Sequence, residues 1–112
     1  MKITNSVLVG FINNAGNILD KKIPQKLFSA IDLNAAAAKD ALATYGKQYE
    51  DIKNDEISEK EKNEKILELL DIELDLPLQT VSQDVFDRME EGDKFDALTG
   101  REYQAIDFMV LK

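Results

Sequence analysis

The residues of this chain best suited to chemistry are carboxylates, because it contains neither histidine nor cysteine. That absence removes the usual general base, the thiol nucleophile and the common ligands of zinc sites. Asp71, Glu73 and Asp75 alternate with apolar residues, which on a strand places neighbouring carboxylates about 6.5–7 Å apart on one face. Such a row can hold Mg²⁺ or Ca²⁺, but on an exposed face it is more often only solvated. We therefore predict no catalytic residue, no metal site and no cofactor.

The sequence lacks two further kinds of binding motif, the calcium-binding EF-hand loop and the phosphate-binding loop. The stretch Asp93–Glu102 has the composition of a calcium-binding EF-hand loop, but Phe95 occupies the third position and Gly100 comes two places late. No glycine spacing fits a phosphate-binding loop. The sequence therefore argues against an enzyme.

Charge is divided unevenly along the chain, whose net charge is −8. Residues 1–49 contain six lysines and three aspartates, for a net charge of +3, whereas residues 50–112 contain eight bases and nineteen acids, for −11. Such an asymmetry can be satisfied within one fold, between copies or with a partner. The cluster Lys21, Lys22 and Lys26 lacks interleaved aromatic residues, which argues against nucleic-acid binding. Lysines near a helix start more often solubilise a turn than bind an anion.

Length and composition indicate one globular domain over residues 1–112. Hydrophobic residues make up 44% and charged residues 32% of the chain, a globular balance. No apolar run approaches the roughly eighteen residues of a transmembrane helix. Val7–Ile12 is apolar but lacks the basic flank of a signal peptide. Together with the lack of cysteine, this predicts an intracellular protein without a membrane segment.

One long helix is predicted over residues 24–54. Pro24 suits the first turn of a helix, and apolar residues follow it at steps of three and four. These residues are Leu27, Ile31, Ala35, Ala38, Leu42, Tyr45, Tyr49 and Ile52. At about 1.5 Å per residue such a helix spans roughly 45 Å, whereas a compact chain of this length has a radius of gyration of about 13 Å. The overhang must be covered by a helical hairpin, a second copy or another protein.

A polar helix after the long one is the simplest cover for its overhang. Ser58 with Glu61 forms a capping box, which predicts a helix over residues 58–70 lying antiparallel on the long helix. A short helix over residues 6–19, with Asn5 as its N-cap, is predicted before the long helix. The core of the expected fold is therefore helical.

Beyond residue 70 the apolar period changes from helical to alternating, which predicts a short strand over residues 72–80. Pro77 cannot donate to a ladder, so this should be an edge strand. Its partner within the chain would be Met1–Thr4 or Gln79–Val81. If neither pairs with it, the strand is open to another chain by strand addition.

Two short C-terminal helices complete the prediction, an α+β fold that is mainly α. Ser82 is a suitable N-cap for a helix to about Glu90, broken at Glu91–Gly92–Asp93. Thr99 with Glu102 forms a second capping box and opens the last helix. The apolar stripe of that helix consists of Tyr103, Ile106, Met109 and Val110.

The surfaces left for a partner are the distal seam of the long helix and the edge strand. Leu42, Tyr45, Tyr49 and Ile52 form the seam, and Ile72, Leu74 and Leu76 lie on the strand. Tyr45 and Tyr49 are one helical turn apart, a spacing that serves packing more often than it serves a partner. We predict a protein partner at these residues, with a second copy of the chain among the candidates.

Several short motifs together resemble those of a known family. They are Lys2–Ile3–Thr4–Asn5, Lys22–Ile23–Pro24, Leu69–Leu70–Asp71–Ile72–Glu73–Leu74 and Ala105–Ile106–Asp107–Phe108–Met109–Val110. With the long helix that carries Tyr45 and Tyr49, they resemble a family of small uncharacterised phage and prophage proteins. The resemblance implies a phage-derived protein in the cytoplasm of a bacterial host, and it brings no catalytic residues.

Two functions are consistent with these features. The first is a non-enzymatic accessory or assembly factor of the virion or tail that acts through protein–protein contacts. The second is an acidic inhibitor of a host protein or nucleic-acid-binding machine, suggested by the −11 of residues 50–112. Lys60, Lys62, Lys65 and Arg88 are interspersed among those acids, a pattern more typical of an ordinary solvated face.

Overall fold

The computed structural model describes residues 1–90 and 94–112, so the predicted break at Glu91–Gly92–Asp93 lies outside the described residues. Within these ranges the helices are α1 (Asn5–Leu19), α2 (Gln25–Lys53), α3 (Glu59–Leu70), α4 (Gln83–Met89) and α5 (Gly100–Ile106). The strands are β1 (Lys2–Thr4), β2 (Glu73–Asp75), β3 (Val81–Ser82) and β4 (Val110–Leu111), and a 3₁₀ turn (Asp107–Met109) precedes β4. The predicted α+β class, mainly α, is confirmed.

The long helix is continuous over its 29 residues. Pro24 is its N-cap and Asn54 its C-cap, so each end lies within one residue of the prediction. The molecule measures 55 × 24 × 21 Å and has a radius of gyration of 16.2 Å. Since a compact chain of this length would have a radius of about 13 Å, the predicted overhang is present.

α2 packs against two different helices. All its buried residues lie between Leu27 and Ala38, and this half packs on α1 in the core. Its distal half packs on α3, to which a short link over residues 54–58 joins it. The predicted hairpin of α2 with α3 is confirmed, and α1 covers the remainder of the long helix.

The core is built from one stripe of α1, the proximal half of α2 and the C-terminal elements. Leu8, Phe11, Ala15 and Ile18 recur at steps of three and four along α1, and all are buried. Facing them are the buried side chains Leu27, Ile31, Phe86, Met89, Ile106 and Met109. The rings of Phe11 and Phe108 meet edge to face with centroids 5.2 Å apart, a favourable aromatic geometry.

The start of α1 corrects one prediction. Its N-cap is Thr4, whose hydroxyl accepts a hydrogen bond from the Val7 N–H at 3.3 Å, and not Asn5. Thr4 ends β1 and is already extended, at φ −86° and ψ 157°, as an N-cap requires. Asn5 is instead the first helical residue, and its buried Nδ2 donates to the Leu69 carbonyl at 3.0 Å.

The strand after α3 is paired within the chain. β2 runs antiparallel to β1, with Ile3 opposite Leu74, so Met1–Thr4 contains the partner. The strand is shorter than the predicted range of 72–80, since regular pairing ends at Asp75. A second, parallel pair joins β3 to β4 and was not predicted from the sequence. The last α-helix ends at Ile106, so two residues of its predicted stripe lie outside it, Met109 in the 3₁₀ turn and Val110 in β4.

The three caps predicted for the later helices are formed to different extents: one completely, one in half and one without its hydrogen bond. The Ser58 hydroxyl accepts from the Glu61 N–H at 3.2 Å at the start of α3. At the start of α5, Thr99 and Glu102 form both halves of a capping box. α4 begins directly after Ser82, although that side chain makes no cap hydrogen bond. These local signals place the helix starts to within a residue or so.

Candidate interaction surface

The carboxylates considered for metal binding do not converge. Asp71 is the C-cap of α3, whereas Glu73 and Asp75 lie on β2, so the three do not share one strand. Asp75 lies 3.1 Å from the N-terminal ammonium. Across residues 1–90 and 94–112, no group of three or more histidine, cysteine, aspartate or glutamate side chains is arranged to hold a metal ion. In the same part of the chain, no helix is both long and apolar enough to cross a membrane.

The predicted surface residues divide into two sets. Leu42, Leu74 and Leu76 are partly buried against the core, so they belong to its margin. The other four, Tyr45, Tyr49, Ile52 and Ile72, lie beyond the core cluster on or beside the distal hairpin. Only this second set remains available as a surface separate from the core.

We call residues 43–72 the arm, because the apolar side chains of this segment lie outside the core cluster. Leu69, at 5% exposure, is the one buried hydrophobic residue of the arm. Leu67 is 63% and Ile72 44% exposed. Two helices in a single layer cannot enclose their apolar stripes from all sides. The apolar seam of the arm, defined from here on as Tyr45, Tyr49, Ile52, Leu67, Leu69 and Ile72, is therefore only partly covered.

The two tyrosines pack mainly on each other along α2. The ring centroids of Tyr45 and Tyr49 are 6.1 Å apart, and the Lys53 ammonium lies 5.9 Å from the Tyr49 centroid. Burial raises the pKa of the Tyr45 hydroxyl above its usual range, and the neighbouring Tyr49 raises it further. Both rings are half-buried, so the pair is not a fully exposed aromatic platform.

A groove of about 520 Å³ lies between α2 and α3 on one side of the arm. Its lining residues are Gln48, Asp51, Ile52, Lys65, Glu68, Leu69 and Ile72. Ile52 from the predicted seam and Ile72 from the predicted strand therefore meet at one place. The backbone of Ile72 is fixed, since its N–H donates to Leu69 and its carbonyl accepts from the Asn5 N–H at 3.0 Å.

The arm carries excess negative charge. Residues 43–72 contain nine carboxylates and five lysines, for a net charge of −4. Lys62 and Lys65 lie 3.7 Å from Glu59 and 3.8 Å from Asp55. Within the part of the chain that the structure describes, the other seven arm carboxylates form no salt bridge. They are Glu50, Asp51, Glu56, Glu61, Glu64, Glu68 and Asp71.

Two buried asparagines connect distant segments of the chain, and only one of them, Asn5, was predicted from the sequence to have a role, that of an N-cap. Asn34 is 1% exposed, and its side chain donates to the Gln79 carbonyl at 2.9 Å and accepts from the Gln79 N–H at 2.6 Å. Asn5 holds the end of α3, as described above. A polar residue inside the apolar stripe of a helix was the available signal for Asn34, because such a residue needs hydrogen-bond partners when buried.

The basic cluster near the α1–α2 turn also has a structural role. Lys21 donates to the Glu102 carboxylate at 2.5 Å and to the Ala97 carbonyl at 3.0 Å. Lys22 and Asp96 exchange two hydrogen bonds of 2.8 Å through their backbones and the Asp96 carboxylate. The bond from Lys21, with that from the Thr99 N–H, holds the pKa of the Glu102 carboxyl below its usual range, although burial acts in the opposite direction.

These contacts leave the arm, with its groove and its unpaired carboxylates, as the surface best suited to recognise another molecule. Comparisons of the chain with protein-family models, with curated proteins and with solved structures found no match.

Proposed function

We propose that this protein is a non-enzymatic, phage- or prophage-encoded factor that acts through protein–protein contacts made by the arm. Its role would be that of an accessory or assembly factor of the virion or tail, working in the cytoplasm of a bacterial host. The observation that carries the proposal is the partly covered apolar seam of an arm that extends beyond the core.

The physical support is the mismatch between the arm and the rest of the molecule. Removing apolar surface from water stabilises the folded state by about 25 cal/mol per Å². The core buries one apolar stripe each of α1 and of proximal α2 in this way. In the arm only Leu69 is buried, and Leu67 and Ile72 stay 63% and 44% exposed. Val7 and Leu33, which lie outside the core stripes, are exposed to a similar extent, at 40% and 59%.

Leu67 lies on α3 and Ile72 directly after its C-cap, both among charged residues. Exposed apolar side chains rimmed by polar residues are typical of protein-binding surfaces. A partner that covers the arm would complete its burial.

The phage or prophage origin is supported by the resemblance of short motifs along the chain. Two of these motifs contribute to the attachment of the arm, because Asn5 donates to the Leu69 carbonyl. A segment that positions a contact surface is consistent with a factor whose function is assembly.

A second candidate is an acidic inhibitor of a host protein or nucleic-acid-binding machine. It is favoured by the seven arm carboxylates without a salt bridge in residues 1–90 and 94–112. An inhibitor of this kind would bind mainly through charge, so its affinity should fall steeply in moderate salt. A factor bound through the apolar seam should retain its partner there.

Capture from the producing cells tests both candidates. The immobilised full chain is compared with an arm variant, Leu67→Ser with Ile72→Ser, and with a control, Leu33→Ser with Val7→Ser. The four side chains are 63%, 44%, 59% and 40% exposed, so both pairs remove similar apolar surface without opening the core. We expect the arm variant to lose a specific partner by about tenfold, while the control retains it.

The identity of the captured protein separates the two functions. A virion or tail protein that stays bound in moderate salt supports the assembly role, and a host nuclease or polymerase released by salt supports the inhibitor. Equal loss of the partner in both variants, with circular dichroism confirming that both are folded, would show that the arm is not the binding surface.

A further inference from the structure

We infer that the groove of the arm is the docking site for a basic segment of a protein partner. A lysine or arginine side chain of that segment would lie across Ile52, Leu69 and Ile72, with its cationic head at Asp51 and Glu68. This inference rests on the proposed function, in which the arm is the contact surface, and it names the chemistry of the partner.

The composition of the groove favours a long basic side chain. Its floor is apolar, formed by Ile52, the buried Leu69 and the 44% exposed Ile72. Asp51 of α2 and Glu68 of α3 line the same groove. Lysine and arginine place an aliphatic stem on apolar surface while the charged head stays among polar groups. A purely apolar side chain would bury the carboxylates without compensation.

The chain does not supply this cation itself. In the residues that the structure describes, the carboxylates of Asp51 and Glu68 make neither a salt bridge nor a hydrogen bond. Lys65 also lines the groove, but its ammonium lies 3.8 Å from Asp55, near the tip of the arm. The ammonium of Lys62 lies 3.7 Å from Glu59 and donates to the Lys53 carbonyl at 2.9 Å. The ammonium of Lys53 lies over the Tyr49 ring.

Charge also decides between a basic partner and a second copy of this chain. A symmetric dimer built on the arm would bring together two segments that each carry −4, because a two-fold interface places the same patch on both sides. Like charges across an interface are unfavourable. A positively charged segment is instead attracted by the negative charge of the arm.

A peptide titration followed by NMR tests the inference. The ¹⁵N-labelled full chain is titrated with a capped octapeptide of alternating arginine and serine, and separately with the matched glutamate–serine peptide. We expect only the arginine peptide to bind, with shift changes concentrated at residues 48–52 and 65–72. Added salt should weaken binding only in part, because the charged head is screened while the aliphatic stem keeps its apolar contact.

Two variants with equal charge change show whether the groove is specific. Asp51→Asn with Glu68→Gln removes both groove carboxylates, and we expect it to weaken arginine-peptide binding about tenfold. Glu50→Gln with Glu64→Gln removes two arm carboxylates that do not line the groove, and it should weaken binding less than about twofold. Equal weakening in both variants, shift changes elsewhere, or no binding would overturn the inference.

Sedimentation of the chain at the same concentrations tests whether a second copy of the chain occupies the groove instead. A dimer that dissociates in the groove variant Ile72→Ser, or that competes with the peptide, would assign the groove to a second copy and overturn the basic partner. Failure here leaves the proposed function standing if captured partners still depend on Leu67 and Ile72. If capture is independent of the arm, the proposed function itself fails.

Discussion

At the scale of single residues, polar side chains with little or partial exposure connect loops to helices through hydrogen bonds. Asn34 pairs with both backbone groups of Gln79, as a neighbouring strand would. Asn5 donates to the Leu69 carbonyl near the end of α3, and the half-buried Lys21 donates to the Ala97 carbonyl in the loop before α5. Backbone groups that lose water must find such partners. Removing one of these side chains should therefore cost more than an exposed contact would.

Replacing Asn34 by alanine should lower the free energy of unfolding by about 2–4 kcal/mol. The reason is that the N–H and carbonyl of Gln79 lose their partner beside a side chain that is only 1% exposed. Urea denaturation measures the effect. The exposed Asn13→Ala in α1 is the control and should change stability by no more than about 0.5 kcal/mol. Similar values for the two variants would contradict the anchoring role.

The Lys21–Glu102 pair should contribute a pH-dependent part of stability. The pKa of Glu102 is lowered in the folded state, chiefly by the Lys21 hydrogen bond. Its contribution is thus complete above the unfolded carboxyl pKa of about 4.3 and is lost as pH falls through the lower folded value. Glu102→Gln should reduce stability by about 1–2 kcal/mol at pH 7 and should lessen the further loss toward acid.

Asp107→Asn is the matched control for the pH experiment. Its carboxylate lies 3.0 Å from Lys112, but both side chains are more than half exposed, at 65% and 68%. Exposed pairs contribute little, about 0–1 kcal/mol. Thermal unfolding followed from pH 7 to pH 2 should therefore show a flatter acid limb for Glu102→Gln and an unchanged one for Asp107→Asn. A flatter acid limb for Asp107→Asn than for Glu102→Gln would show that the acid sensitivity of stability does not originate at Glu102.

At the scale of elements, the helices were predictable because their signals are local. Pro24, Ser58 and the Thr99–Glu102 box mark helix starts that the structure forms, and apolar steps of three and four define the buried faces. The antiparallel partner of β2 was one of the two candidates from the sequence. Local capping and periodicity thus predict most of the fold.

The long-range pairings were not predictable from the sequence alone. β3 and β4 pair over only two residues each, which leaves no periodic pattern to recognise. The hydrogen bond from Asn5 to the Leu69 carbonyl likewise joins residues that are far apart along the chain. The same holds for the groove, where Ile52 and Ile72 meet only because α3 folds back on α2. The site residues were found singly, and their meeting required the tertiary structure.

α2 contains one weak position within the arm. Outside its own helical backbone, no atom lies within 4 Å of where an alanine methyl would stand at Gly46. Gly46→Ala should therefore stabilise the helix by about 0.5–1 kcal/mol, seen as slower amide exchange in the arm. Gly16→Ala in α1 is equally unobstructed, and it should slow exchange in the core while leaving the arm unchanged. Faster arm exchange in Gly46→Ala would contradict an open site.

At the scale of the whole molecule, the core and the arm differ in how much they bury. Fully buried side chains are numerous in the core, whereas the arm has only Leu69 at 5%. Regions with few buried apolar contacts open locally at low free energy. Native-state hydrogen exchange should therefore show residues 43–70 exchanging through openings well below the global free energy of unfolding, and residues 8–18 exchanging only near it. Equal protection of both would show that the arm is part of the core's cooperative unit.

Binding should reduce this difference in hydrogen-exchange protection, because a partner that covers the arm binds its folded form and raises its local stability. The claim that the arm is the contact surface is tested most directly by photo-crosslinking in the cells that produce the protein. A benzophenone amino acid is placed at Ile72 on the arm or at Leu33 on the opposite half of the molecule, at 44% and 59% exposure in the unmodified chain. We predict a discrete crosslinked protein from position 72 and none from position 33. A crosslink from position 33 alone, or the absence of one from both positions, would contradict the account.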